Sequence, residues 1–219
     1  MDIDALLLSL KLALWTLILI LPFGTWVAHS LQSMNRGRSW IEAVLALPLV
    51  LPPTVLGYYL VVGLGGKNLF GIPLVFSFTG ILIASLIVNL PFAIQPIQRA
   101  FEAINPEVRE AAQVSGLSKW QIFRLIELPL AWRGITSAAV LTFAHTLGEF
   151  GVILMVGGAI PSETKTVSIA IYDKVQSFDT AGAGTLSLIL LGTSLLAIAL
   201  SYGVFGRHPG KKRNWEWKS

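Results

Sequence analysis

The chain has 219 residues, of which 54% are hydrophobic and only 13% are charged. The charged share is about half that of a typical soluble domain, so a water-soluble fold of this size could not cover its surface with ionic groups. Disorder is excluded as well, because it requires low hydrophobicity and high charge. The chain has no cysteine, which excludes a disulfide scaffold, a cysteine nucleophile and a thiolate metal site. Composition therefore indicates a membrane protein.

Five apolar segments are long enough to cross a bilayer as helices, which takes about 20 residues each. They cover residues 5–31, 41–64, 79–97, 135–156 and 185–205. The residues before the first segment are acidic and its apolar run is long, so we expect no cleaved signal peptide. The prediction is an all-α, polytopic membrane protein with one transmembrane domain over residues 5–206. A basic tail over residues 207–219 follows it.

The basic residues indicate the orientation, since short cytoplasmic segments are enriched in Lys and Arg. With the N-terminus outside, the inner segments hold twelve of the sixteen Lys and Arg residues, and the outer segments hold Lys67, Lys165 and Lys174. We therefore expect the N-terminus outside and the C-terminus in the cytoplasm. The net charge of +4 is then a topology signal, and we expect no nucleic-acid partner. In the tail, Trp215 and Trp217 beside a basic run are typical of an anchor in membrane lipid at the inner leaflet.

The segment between the third and fourth spans, residues 102–129, is predicted to form a helix–glycine–helix elbow in the cytoplasm. Asn105, which a proline follows, fits a helix N-cap, and Gly116 is well placed to end that short helix. Ser118 and Gln121 have the spacing of a capping box that opens a second helix. The elbow is therefore predicted to be an ordered element that carries both apolar and charged side chains.

Two interpretations of the elbow follow from its amphipathic character. It could rest on lipid headgroups as an interfacial hairpin, or it could present apolar side chains to which another protein docks. Pro129 is expected to close the elbow, because a proline keeps the preceding residue out of the helical region. The residue pattern by itself leaves both interpretations open.

The fixed residues of the elbow resemble the cytoplasmic EAA loop of binding-protein-dependent ABC importer permeases. Glu-Ala-Ala is followed after three residues by a glycine, and after nine more residues by Ile-x-Leu-Pro. The resemblance implies an ABC type-1 permease in which this loop is the coupling helix, seated in a cleft of a separate ATP-binding subunit. The coupling residues that it implies are Glu110, Ala111, Ala112, Gly116, Ile126, Leu128 and Pro129.

Three further segments resemble the molybdate branch of that family. They are residues 47–58 (LPLVLPPTVLGY), 147–151 (LGEFG) and 160–164 (IPSET). Sulfate permeases are similar in these regions and share the pattern around residues 179–183, so sulfate, thiosulfate and tungstate stay open as cargoes. The resemblance implies a permease subunit of the cell inner membrane that works as a homodimer. Its partners would be two ATP-binding subunits and a soluble molybdate-binding protein at the outer face.

Glu149 lies in the fourth apolar segment, four residues after His145 and therefore on the same helical face. An ionisable residue at membrane depth is a functional candidate by default. One interpretation is a gate-lining pair that changes partners as a passage opens. The other interpretation is a buried, hydrogen-bonded clamp that fixes helix packing.

Asn89 and the prolines Pro52 and Pro53 are the remaining pathway candidates. Asn89 precedes a proline in the third segment, which could open the backbone toward the passage or produce a packed kink. A double proline in the second segment is too disruptive of a helix to be incidental. Apart from Lys11 near an edge, the apolar segments hold no Lys or Arg, so we expect a low-affinity corridor. Selectivity would then lie in the soluble partner, which we expect to dock on residues 157–184.

No pattern in the chain predicts an enzyme. A Gly-rich phosphate loop that ends in Gly-Lys-Ser/Thr is absent from the sequence, so we expect ATP to bind to a separate subunit. His29, His145 and His208 lack metal-ligand spacing, and we expect no catalytic residue, no cofactor and no metal. A function of another class stays open, namely an autonomous channel or carrier whose elbow rests on lipid.

Overall fold

Helices make up nearly all of the computed structural model. It describes residues 2–34, 36–69 and 71–205. The only strands in these ranges are β1 (Asn68–Leu69) and β2 (Ile72–Pro73), which pair as a minimal antiparallel hairpin. The all-α prediction is therefore confirmed. The predicted tail at 207–219, with its anchor residues Trp215 and Trp217, lies outside the described residues.

The helices begin and end where caps, glycines or prolines interrupt the apolar runs. In chain order they are α1 (Ile3–Gln32), α2 (Arg38–Val50), α3 (Pro53–Leu64), α4 (Phe78–Glu102), α5 (Pro106–Val114), α6 (Lys119–Ile122), α7 (Leu128–Gly148), α8 (Gly151–Gly157), α9 (Val167–Gln176) and α10 (Thr180–Phe205). A π-helical turn, Phe123–Glu127, joins α6 to α7. We call the end of the bundle with α5 and α6 the elbow end. The opposite end, where α9 begins beside the first turns of α1, is the far end.

The described part of the chain has three helices that are long and apolar enough to cross a membrane, namely α1, α4 and α10. Two further spans exist only as bent pairs: α2 with α3, at 110°, and the helix formed by α6 and α7 with α8, at 61°. Counting each bent pair as one span gives five, which agrees with the predicted number. The helix is broken within the second and the fourth of the predicted segments.

Both breaks have local causes in the sequence. Pro52 has no N–H to continue the hydrogen-bond ladder and keeps the preceding residue extended, and Leu51 accordingly has ψ of 137°. At the second break Glu149 is extended, with ψ of 127°. Gly148 ends α7 just before it and Gly151 begins α8 just after it. Glycine weakens a helix interior, so the break falls where the helix is least stable.

The helix that leaves the elbow continues without interruption into α7. The prediction that Pro129 closes the elbow is therefore wrong, and the helix that contains the predicted fourth span begins well before Ile135. In the π-helical turn Phe123–Glu127, the N–H of Leu128 donates to the carbonyl of Phe123, five residues back. A proline ring clashes with the carbonyl four residues back in a regular helix, and the wider turn relieves that clash.

The core lies where α1, α4 and α7 pack side by side. At the elbow end, Leu31, Ile97 and Phe101 are almost completely buried. Toward the far end, Ile81 and Val152 belong to a second cluster that joins α4 to α8 and α3. The outer faces of α1 and α10 carry exposed apolar side chains. This packing fixes the ends of α1 and α4 together at the place where the elbow begins.

Candidate functional site

Local hydrogen bonds fix the first helix of the elbow. The Asn105 side chain accepts a hydrogen bond from the N–H of Glu107 at 3.0 Å and caps α5. Gly116 follows the end of α5 with φ of +81°, and the N–H of Leu117 donates to the carbonyl of Ala112 at 3.2 Å. This is the Schellman pattern of a glycine-terminated helix. Both predicted ends of α5 are therefore confirmed.

The second helix of the elbow begins with the predicted capping box. Ser118 Oγ accepts from the N–H of Gln121 at 3.3 Å, and Gln121 Oε1 accepts from the N–H of Ser118 at 2.8 Å. Between the two helices, a Cβ added to Gly116 would have no other atom within 4 Å. Glycine is therefore favoured there by its left-handed backbone and not by lack of space.

The implied coupling residues divide between the surface of the elbow and its packed side. Ala112 is the one buried residue of α5, while Val114 at the end of this helix is 89% exposed. Val114 is not one of the implied coupling residues. The exposed coupling residues are Glu110, Ala111, Gly116 and Pro129, and the half-buried ones are Ile126 and Leu128. The elbow therefore presents most of α5 to the surroundings, which is the geometry that docking onto another molecule requires.

Glu127, the last residue of the π-helical turn, is a buried carboxylate that sequence reasoning did not single out. Its Oε1 accepts from Nε of Arg109 at 2.5 Å, and its Oε2 lies 2.8 Å from Nε2 of His29 on α1. Nη2 of Arg109 also donates to Oε1 of Gln32 at 2.6 Å and to the carbonyl of Phe101 at 2.8 Å. We call Arg109, Glu127, His29 and Gln32 the Glu127 cluster.

The two helix breaks lie next to each other. A Cβ added to Gly151 would lie 2.8 Å from Cβ of Pro53, and one added to Gly57 would lie 2.7 Å from Cβ of Met155. Only glycine allows backbones to approach this closely, so α3 and α8 pack tightly beyond the breaks. Pro52 and Pro53 therefore lie at a junction of two bent spans.

The predicted pair of His145 and Glu149 lies at this second break. Nε2 of His145 is 3.7 Å from Oε2 of Glu149, so the two side chains do come together. Oε1 of Glu149 accepts from the N–H of Val152 at 3.1 Å and thereby caps the first turn of α8. The His145 ring stacks on Phe92, with 4.0 Å between ring centroids. These contacts support the clamp interpretation in the observed conformation.

Asn89 on α4 is completely buried and connects α4 to α7 directly, and to α1 through Ser85. Its Nδ2 donates to the carbonyl of Ser85 at 2.8 Å and to Oγ1 of Thr146 at 3.1 Å. Its Oδ1 lies 3.2 Å from Nδ1 of His145, and Oγ of Ser85 lies 2.9 Å from Oγ1 of Thr16 on α1. Asn89 therefore packs between α4 and α7 in this conformation and does not line an open passage.

A polar cavity of about 410 Å³ lies between α2 and α4 at the elbow end. Arg38 bridges Glu42, with 2.7 Å from Nε to Oε1, and Glu102. Nε2 of Gln98 donates to the same two carboxylates, at 2.6 and 3.0 Å. Although α2 has no fully buried residue, these contacts and the packing of Leu45 against the elbow-end core hold it to the bundle. The separation of four residues between Arg38 and Glu42 could have indicated their ion pair from the sequence. Glu102 lies 64 positions after Arg38, so no local pattern could have indicated the second ion pair.

The far-end stretch at 157–184 contains an ordered helix, α9. In the last turn of this helix, Nζ of Lys174 donates to Oδ2 of Asp179 at 2.8 Å, and the N–H of Gly182 donates to Oδ1 of Asp179 at 2.9 Å. The Lys174 ammonium and the Gly182 amide lower the pKa of Asp179, and the same contact raises the pKa of Lys174. Asp179 thus caps the first turn of α10.

Comparison with known proteins gives consistent matches over most of the chain. The family model of the binding-protein-dependent transport system inner membrane component matches residues 20–208. The molybdenum transport system permease protein ModB of Azotobacter vinelandii is 42% identical over 210 residues, which are 92% of this chain and 93% of that protein. The probable sulfate transport system permease protein cysT of Chlorella vulgaris is 31% identical over 208 residues, 90% of this chain and 77% of that protein.

A solved structure supports the fold independently of close sequence similarity. It is a bacterial ABC transporter involved in the import of the acidic polysaccharide alginate, with a TM-score of 0.76 at 18% identity, over 95% of this chain and 80% of that chain. The chain therefore belongs to the family of binding-protein-dependent transport system inner membrane components, as a multi-pass permease subunit and not as an enzyme.

Proposed function

We propose that the chain is the permease subunit of an ATP-driven importer that carries molybdate across the inner membrane. The elbow carries this proposal, because it is an ordered, exposed helix–glycine–helix element with the EAA residues at the spacing of the family. Molybdate is favoured because the ModB relative is more similar to this chain than the sulfate relative, at 42% against 31% identity. Sulfate, thiosulfate and tungstate are the alternative cargoes.

The elbow is proposed to dock into a cleft of the ATP-binding subunit through the exposed face of α5. Val114 and Ala111 offer small or apolar side chains there, and Glu110 offers a charge. The elbow end then faces the cytoplasm, and the N-terminus of α1 lies outside. The charge distribution supports this orientation, since it assigns twelve of the sixteen Lys and Arg residues to cytoplasmic segments of the sequence.

A second copy of the chain is proposed to complete the transmembrane domain, which covers residues 5–206 and is followed by the tail at 207–219. No residue of α2 is buried in the single chain. Pro52 and Pro53 have no N–H for the carbonyls of the last turn of α2. Lipid cannot satisfy such carbonyls, so protein or a water-filled passage is expected beside the break. Two copies also present two elbows, one for each of two ATP-binding subunits, whose closure would tilt the attached spans as rigid bodies.

The passage is proposed to bind its anion weakly. The positive end of the α8 helix dipole is already occupied by the Glu149 carboxylate. The Arg38 guanidinium is paired with two carboxylates. Neither the start of α8 nor Arg38 therefore offers a free positive charge to an anion. Selectivity would then lie in the soluble molybdate-binding protein, which docks on residues 157–184. Among the pathway candidates, Pro52, Pro53, His145 and Glu149 surround the junction of bent spans, where tilting would open the passage, and Asn89 links this junction to α1.

Molybdate uptake by molybdate-limited cells tests the proposal, with an excess of sulfate as competitor. We expect uptake that requires the ATP-binding subunit and that sulfate does not suppress. Gly116→Val should abolish uptake because valine is strained at positive φ, and Gly116→Asn should retain more, since asparagine tolerates that region. Uptake that persists without the ATP-binding subunit would instead establish an autonomous channel or carrier, and suppression by sulfate would reassign the cargo.

A further inference from the structure

The helix α5 makes little contact with the bundle through apolar packing. Ala112 is its one buried residue, and the helix ends just before Gly116. A coupling helix that transmits motion must be held firmly to the spans that it moves, and apolar side-chain packing alone holds α5 only weakly. The attachment must therefore come from polar contacts.

Arg109 supplies those contacts from the middle of α5. Its guanidinium reaches Glu127 in the π-helical turn, Gln32 at the end of α1 and the Phe101 carbonyl at the end of α4. A planar guanidinium holds several donors in a fixed geometry, so one side chain can fix the relative positions of three elements. The Arg109 side chain is 24% exposed, which limits screening by water.

Glu127 extends this connection to α1. Its side chain is only 6% exposed, and both oxygens are used, one by Arg109 and the other by His29. Removing one partner of a buried pair leaves an uncompensated charge, so the contacts in such a pair are lost together and not one at a time. The π-helical turn ends at Glu127, and such turns occur often at functional positions.

We propose that Glu127 and Arg109 are positioning residues that join the coupling helix to the first span, so that α5 and the end of α1 move as one body. The inference rests on the proposed function, because it assumes that the elbow receives the motion of an ATP-binding subunit. Through Gln32 and His29, displacement of α5 is passed directly to α1, as well as along the chain to α4 and α7. Without the Glu127 cluster, the elbow would move without tilting α1.

The first test measures the attachment in the full-length chain and is independent of the cargo. The natural chain has no cysteine, so Ser33→Cys and Ser115→Cys place one spin label after α1 and one after α5. In lipid nanodiscs we expect a narrow distance distribution in this background and a wider one after Arg109→Gln or Glu127→Gln. Arg133→Gln, at an exposed position beyond the elbow, is the matched control and should leave the distribution unchanged.

The second test measures coupling in vesicles that contain the permease, its ATP-binding subunits and the loaded binding protein. Molybdate transported per ATP hydrolysed should fall about tenfold in Arg109→Gln and Glu127→Gln, within the range that mutations along coupling networks produce. Assembly with the ATP-binding subunits should be unchanged. Arg109→Lys keeps the charge but not the fork of donors, so we expect an intermediate ratio.

Two results would overturn the inference. One is a distance distribution in Arg109→Gln that is as narrow as in the background. The other is a proportional fall of ATP hydrolysis and transport, which would mean that the cluster only stabilises the fold. Failure of the unsubstituted transporter to move molybdate would contradict the proposed cargo instead, and the spin-label measurement would still decide the inference.

Discussion

At the second helix break, one carboxylate has two partners. Glu149 is 3.7 Å from His145 through one oxygen and accepts the N–H of Val152 through the other. A carboxylate at the first turn of a helix is stabilised by the positive end of the helix dipole. A Glu149→Gln substitution separates the effect of the helix cap from the effect of the negative charge, because glutamine keeps an acceptor oxygen and loses the charge.

We predict that Glu149→Gln unfolds at nearly the same temperature as the parent chain and still transports. Glu149→Ala, which removes the acceptor, should lose about 1 kcal/mol of stability. Thermal unfolding in detergent together with uptake measures both properties. If both substitutions abolish transport and neither lowers the unfolding temperature, the charge is essential and the clamp interpretation is wrong.

The ion pair of Lys174 and Asp179 predicts a pH dependence at the start of α10. The folded pKa of Asp179 is lowered, so its contribution is present above the unfolded pKa and is lost as pH falls through the folded value. Lys174 has a raised pKa, so its contribution is lost only as pH rises through that value. The contact is therefore intact near neutral pH and weakens below about pH 4.

Hydrogen exchange of the Gly182 amide, corrected for its intrinsic rate, should show this loss of protection on acidification. Asp179→Asn keeps an acceptor oxygen but does not titrate, so the acid-induced step should disappear. Asp173→Asn removes the neighbouring partner of Lys165 and should leave the step in place. A step that survives Asp179→Asn would assign it to another group.

Among the helices, α3 and α8 form the closest contact between the two bent spans. Gly57 faces Met155 at a distance that leaves no room for a methyl group, whereas Gly63 on the same helix has nothing within 4 Å of its Cβ position. We predict that Gly57→Ala lowers stability by about 1–3 kcal/mol through overpacking. Gly63→Ala should be neutral or stabilising, because alanine favours the helix. The unfolding midpoints of the two variants measure the difference, and a loss of equal size in both would contradict this packing.

Sequence reasoning predicted the elements whose causes are local. The caps at Asn105, Gly116 and Ser118 depend on hydrogen bonds between residues that are two to five positions apart, and the sequence displays that spacing. The prolines in the second span indicated a disruption, but not a 110° bend, because the bend also depends on packing against α8. The Glu127 cluster was missed because His29 lies 98 positions away from Glu127, and no local pattern encodes such a contact.

At the scale of the whole molecule, α2 stands out because none of its residues is buried in the single chain. Val50, the last residue of α2, is 79% exposed, and Leu195 on α10 is 58% exposed. The carbonyls that Pro52 and Pro53 leave without an N–H partner are expected to have protein or water nearby, whereas α10 can face lipid. Cysteines introduced on the two helices should therefore differ in how readily they react with water-soluble reagents.

We predict that Val50→Cys, in a chain without other cysteines, reacts with a membrane-impermeant maleimide or forms a disulfide-linked dimer. Leu195→Cys should do neither, because a thiol that faces lipid does not ionise readily. Gel mobility after labelling measures both outcomes. Equal protection of the two cysteines would mean that lipid covers α2 and that the pathway lies elsewhere.

The π-helical turn also sets the rotational phase of everything that follows it. Each residue advances a regular helix by about 100°, and the π-helical turn takes up one residue more than a regular turn. If Phe123–Glu127 closed into a regular α-helix without losing a residue, α7 would therefore rotate by about that angle relative to α6. Thr146 would then turn away from Asn89, to which it is now hydrogen-bonded. The series of buried hydrogen bonds that runs from Thr146 through Asn89 and Ser85 to Thr16 would be interrupted. The irregular turn beside the elbow thus determines which face of a distant helical segment meets the centre of the bundle.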